Sequence, residues 1–127
     1  MNSPIIFNTN QLAILNTLYA NYIINQFNDT NTASGTTSVT INGRSGVATF
    51  TQTISAGSKV NYSISNSSVT SSTKLNLSLD ADFGSTTGLL DLMGYNCTNG
   101  AIDLFFYNPE VSNDFDVDIS VSFQVLN

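Results

Sequence analysis

The sequence predicts a mainly β protein: a jelly-roll-like antiparallel β-sandwich of seven or eight strands, preceded by one N-terminal amphipathic helix. Three observations carry that expectation. From residue 37 to residue 127, apolar side chains recur at every second position in short runs, the period of a strand with one buried face. Gly, Asn and Asp punctuate these runs about every 8–14 residues. No segment between the runs is long enough for the helix of a parallel βαβ unit. Residues 1–36 are therefore assigned to an arm, the helix and a linker, and residues 37–127 to the sandwich domain.

The helix is expected over residues 9–28, with Thr9 or Asn10 as its cap. Leu12, Leu15, Tyr19, Tyr22, Ile23 and Phe27 fall at steps of three and four and form one apolar stripe. Ile14, Leu18 and Ile24 widen it. Such a helix either lies across a sheet end or contacts another subunit, and its stripe is the candidate interface. Ile5, Ile6 and Phe7 form a candidate anchoring arm. Residues 28–38 (NDTNTASGTTS) are polar and rich in breakers, so a linker or turn is expected there.

The period then changes to two. Val39 and Ile41 point one way, Asn42-Gly43 signals a tight turn, and Ala48 and Phe50 continue the buried face. Ala56-Gly57 marks the next turn. Val60, Tyr62 and Ile64 share a face, as do Leu75, Leu77 and Leu79. Residues 82–88 read as a loop. The run LLDLMGYNC fits a buried strand or a helical turn equally well. Asn99-Gly100 leads into AIDLFFYN. From Asp114 the chain alternates to its end, with Phe115, Val117, Ile119, Val121, Phe123 and Val125 on one face. Six inward apolar residues at about 1.5–3 kcal/mol each make this strand too valuable for an edge. It is expected in mid-sheet, paired on both sides, with Asp114, Asp116 and Asp118 on its outer face.

The composition narrows the chemistry. Only 9% of the 127 residues are charged, against about 25% usually. Asn, Ser and Thr, numbering 17, 17 and 15, supply the polarity, and hydroxyls and amides are poor general acids and bases. Arg44, Lys59 and Lys74 are the only cations at a net charge of −6, which disfavours nucleic-acid binding. Eight of the nine acids follow Lys74; they serve solubility or choose a partner electrostatically. With no His, neither a Ser nor the single Cys97 has an activating base. Cys97 reads as a small buried hydrophobe. Asp80 and Asp82 alternate like the start of a calcium loop but lack its remaining ligands, so a solvated turn is favoured. Asp114, Asp116 and Asp118 are met by solvent, by a cross-strand Lys or by a cation. No enzyme, cofactor or bound metal is expected.

No apolar run approaches the eighteen or so residues of a membrane helix, and residues 1–7 lack the features of a signal peptide. A product made in a cytoplasm, starting at its own Met1 and free of membrane, is expected. The N-x-S/T triplets at Asn28, Asn61, Asn66, Asn76 and Asn96 are read as chance in so Asn- and Ser-rich a chain.

Three stretches carry a resemblance: GVATFTQTISAGSKVNYSISNSSVTSSTKLNLSL, GAIDLFFYN and the terminal ISVSFQVLN. They resemble a small β-sandwich domain of tailed-phage virion proteins. Gly46, Ala48, Thr49, Phe50 and Thr51 match its first strand, Asn66, Ser67 and Ser68 its turn, and Ile119, Phe123, Val125 and Asn127 its end. The match spans roughly residues 46–127 and excludes the helix; the acids before the last strand depart from the pattern. The resemblance implies a virion structural protein, a capsid decoration (cement) protein that binds the major capsid protein and stabilises the shell. Homo-oligomers, trimers above all, are common in the group. The alternative it implies is a head- or tail-fibre tip binding a host surface glycan, with Tyr62, Tyr95 and Tyr107 as stacking rings.

Overall fold

A computed structural model describes residues 31–126. The described chain runs through β1 (Asn31–Gly35), β2 (Ser38–Thr40), β3 (Ser45–Phe50), β4 (Lys59–Ser65), β5 (Leu75–Ala81), β6 (Asp91–Thr98), β7 (Ala101–Tyr107) and β8 (Ile119–Val125). One 3-10 turn, Phe83–Ser85, interrupts the loop after β5. The strands form two four-stranded sheets, ordered β1-β3-β8-β5 and β2-β4-β7-β6. Eight strands and a sandwich-like pair of sheets agree with the expectation. The ambiguous LLDLMGYNC run is resolved as β6.

The sheets meet because each strand buries alternate side chains. Ala48 and Phe50 of β3, Tyr62 and Ile64 of β4, Ile102, Leu104 and Phe106 of β7, and Ile119 and Val121 of β8 are all fully buried. Phe50 stacks on Tyr62 across the sheets with ring centroids 4.8 Å apart, and Tyr62 lies 5.5 Å from Phe106. Aromatic rings bury about 150–250 Å² each, so this trio is a large part of the driving force for joining the layers. The Tyr62 hydroxyl donates to Gln52 O at 3.0 Å, which leaves no polar cost at the centre. Cys97 is buried among these apolar side chains.

β8 takes the central place its composition called for. It pairs antiparallel with β3 on one side and β5 on the other. The regular strand is shorter than the alternating run, however. It starts at Ile119, and only Phe115 upstream bridges back, to Ile54. Asp114, Asp116 and Asp118 therefore do not line a strand face. The Asp114 carboxylate accepts from Ala56 N–H at 2.9 Å, an alternative that satisfies the carboxylate and breaks the expected acidic row.

Two further expectations are corrected. Residues 31–38 are not a linker: β1 pairs parallel with β3, and β2 pairs parallel with β4. The sandwich is thus not purely antiparallel. Thr36 O accepts from Gln52 N and Thr37 O from Ser63 N, so the chain leaves one sheet and enters the other within two residues. Gly35 permits the step, since a Cβ there would stand 2.3 Å from Ser38 O. Asn42-Gly43 turns the chain but makes no hairpin, because β2 and β3 belong to different sheets. Among the described strands, β6 and β7 are the one consecutive pair bonded within a sheet, joined at Asn99-Gly100 with Gly100 at φ 92°.

Candidate interaction surface

Two buried asparagines hold the loops at the ends of the sheets. Asn108 Nδ2 donates to Ile54 O at 3.0 Å and Asn113 O at 2.8 Å, while its Oδ1 accepts from Leu89 N and Glu110 N. Asn66 Nδ2 donates to Gly43 O at 2.8 Å, and its Oδ1 accepts from Ser68 N at 2.8 Å. Both are side-chain amides used as spare backbone, linking loops that no ladder reaches. Sequence reading saw Asn66 only as part of a turn and passed over Asn108.

With its ends tied in this way, the β domain offers three surfaces. The outer face of β1-β3-β8-β5 consists of alternate residues: Thr32 and Ser34, then Ser45, Val47 and Thr49, then Ser120, Ser122 and Gln124, then Asn76, Ser78 and Asp80. Asp80 carries the single charge of this row set. Thr49 and Ser120 hydroxyls bond across the strands at 2.9 Å. A shallow depression of about 350 Å³ lies over β5 and β8, lined by Asn76, Leu77, Ser78, Ser122, Phe123 and Gln124. A face of hydroxyls and amides can bind by hydrogen bonds and close fit.

The outer face of the second sheet is different. Asn61, Phe105 and Gly94 lie side by side on β4, β7 and β6, with Lys59, Tyr107 and Asp91 forming the next row. Lys59 Nζ stands 5.7 Å from the Tyr107 ring centroid. Phe105 is exposed beside a glycine whose outer side is open. Of the three tyrosines expected to offer stacking rings, Tyr62 is fully buried in the core and Tyr95 spends its hydroxyl on Leu75 N–H at 3.1 Å. Only Tyr107 keeps a place on an outer face. Phe105, missed by the sequence reading, joins it because strand alternation resolves the FFY run into out, in, out.

The third surface is the flank between β5 and β6, where half-buried side chains gather: Leu77, Leu79 and Ala81 on one side, Leu90, Leu92 and Tyr95 on the other. The carboxylates form no comparable cluster. Asp80 and Asp82 are exposed, Asp80 at the end of β5 and Asp82 in the turn beyond it, and among the described residues no three His, Cys, Asp or Glu side chains gather as a metal site. Burial pushes the Cys97 thiol up, with Asp103 acting the same way and Lys74 the opposite way. No helix among the described residues is long and apolar enough to cross a membrane. The candidate interface of Leu12, Leu15, Tyr19, Tyr22, Ile23 and Phe27, and the arm at 5–7, lie outside the described residues. No protein-family model, curated protein or solved structure matches the chain.

Proposed function

We infer that the protein is a virion structural protein that decorates a capsid, binding the major capsid protein of the assembled shell. The observation that carries this reading is the outer face of β1-β3-β8-β5: four strands wide, hydroxylated, amide-rich and bearing one carboxylate. Such a face meets another protein with little charge to desolvate, and the resemblance over residues 46–127 supports a virion setting. A binder of the assembled shell alone stabilises it by mass action, in proportion to the logarithm of concentration over Kd. The apolar positions Leu12, Leu15, Tyr19, Tyr22, Ile23 and Phe27 are assigned to the same contact or to self-association. Mixing the purified full chain with undecorated shells tests the reading. Hundreds of copies retained per shell, with a raised shell melting temperature, is the expected result; shells that retain none overturn it.

A second reading, a fibre-tip module binding a host glycan, is favoured by Phe105 and Tyr107 on one outer face with Asn61, Asp91 and Lys59 around them. Aromatic faces stack on sugar rings while polar neighbours take the hydroxyls. Retention on a glycan array that Tyr107→Ala abolishes supports it. Binding to shells but to no glycan decides for decoration.

A further inference from the structure

We propose that the β5/β6 flank is closed by a second copy of this chain, β5 pairing antiparallel with β5 about a two-fold axis. The two flanks of the sandwich are unequal. On one, the β1-to-β2 crossover ties the sheets together within two residues. On the other, β5 and β6 belong to different sheets, and the Tyr95 side chain spans the space by accepting from Leu75 N–H. Six half-buried apolar side chains lie along that flank, against Ala33 alone on β1 and β2.

The four edge strands are also unequal. β2 has three residues, β1 has five and ends in a glycine, and β6 is broken by a bulge between Leu92 and Gly94. Shortness, bulges, Pro and charged side chains are the usual guards against edge-to-edge pairing. β5 has seven residues in unbroken register, without Pro or bulge, and Asp80 is its one charge. Among the described residues, the directions of its hydrogen-bonding groups can be assigned. Leu126 N–H donates to Lys74 O, so by antiparallel alternation Asn76, Ser78 and Asp80 bond to β8 while Leu75, Leu77 and Leu79 turn theirs to the edge.

Charge then selects the register. A pairing centred on Ser78 sets Leu77 opposite Leu79 of the second copy, each pair exchanging both N–H···O bonds; Leu75 falls opposite Ala81 of the second copy, and that end pair stays unformed because Tyr95 already holds the Leu75 N–H. The same register brings Lys74, exposed just before β5, opposite Asp82 of the second copy and diagonal to its Asp80. Symmetry repeats that contact at the other end. The occupant is therefore a second copy because β5 is complementary to itself in amides, in leucines and in charge. The inference does not rest on the decoration reading, since it uses a different edge and no capsid.

Sedimentation equilibrium on the full chain is the test. Wild type is expected to be a dimer, and Lys74→Glu alone, or Asp80→Lys with Asp82→Lys, should weaken association about ten-fold or more while leaving the far-ultraviolet spectrum unchanged. An equimolar mixture of the two variants should restore the dimer, because each repelling contact becomes attractive at both ends. A monomeric wild type, a trimer, a dimer indifferent to the charge reversals, or a mixture that fails to re-associate overturns the proposal.

Discussion

Phe50 and Tyr62 face one another from different sheets, their rings 4.8 Å apart and 25° from parallel. This contact joins the two layers at their centre. Tyr62→Ala should cost about 3–5 kcal/mol by leaving a cavity between the sheets. Tyr62→Phe keeps the stack and loses only the bond to Gln52 O, so about 1 kcal/mol is expected. Urea denaturation of the two variants measures the difference. Equal losses would mean that the hydroxyl, not the ring, matters.

Alkali should act through the same residue. Burial raises the Tyr62 pKa from its ordinary value of 10.0. The unfolded chain therefore releases this proton at lower pH than the folded one, and the folded state binds more protons in between. The stability is fully present below pH 10 and falls as pH rises through the raised folded value. Absorbance titration should show a tyrosine step above pH 10 that Tyr62→Phe removes.

Asn108 is the clearest single point of failure outside the aromatic core. Asn108→Ala removes two donors from the carbonyls of Ile54 and Asn113, and two acceptor contacts from Leu89 and Glu110. The expected loss is about 2–4 kcal/mol, since buried groups left unpaired cost about 1–3 kcal/mol each. Asn108→Asp should be no better, because a carboxylate would then face two carbonyl oxygens. Chemical denaturation and amide exchange at Ile54 and Phe115 test this; a loss under half a kilocalorie would refute the clamp.

The crossover makes a sharp prediction about glycines. Gly35→Ala forces a Cβ to 2.3 Å from Ser38 O, backbone that cannot step aside without undoing β1 or β2. A cost of about 2–3 kcal/mol or more is expected, as for an overpacked core. Gly84→Ala meets its nearest atom, Asp82 Oδ1, at an ordinary 3.5 Å and should be nearly neutral. Thermal melts of the pair give the comparison.

Cys97 should be slow to react. Its thiol is buried and its pKa raised, so little thiolate forms at neutral pH. Labelling by a disulfide reagent should run far slower than with free cysteine and become fast in denaturing urea. Rapid native labelling would contradict the buried placement.

Most of what could be read in the sequence was local. The alternation in KVNYSIS, in LNLSL and in the terminal run identified which side chains face inward, and Val60, Tyr62, Ile64, Leu75, Phe123 and Val125 do so. The central place of β8 followed from the six apolar positions of the terminal run, four of which lie in the strand. Of the candidate surfaces, the sequence identified Tyr107; Phe105 and Asn108 escaped because consecutive aromatics and a lone amide carry no periodic signal.

Strand partners were not legible, and for a physical reason. Alternation reports that a strand has one buried face and is silent about its neighbours, whose pairing depends on loop paths between residues far apart in the chain. Thus the parallel edges of β1 and β2, the crossover at Thr36 and Thr37, and the escape of Asp114 to Ala56 N–H belong to tertiary structure alone. The same holds for the β5/β6 flank. The sequence by itself determined which atoms leave water; the tertiary structure decided which backbone edges were left facing it, because edges are made by topology and not by composition.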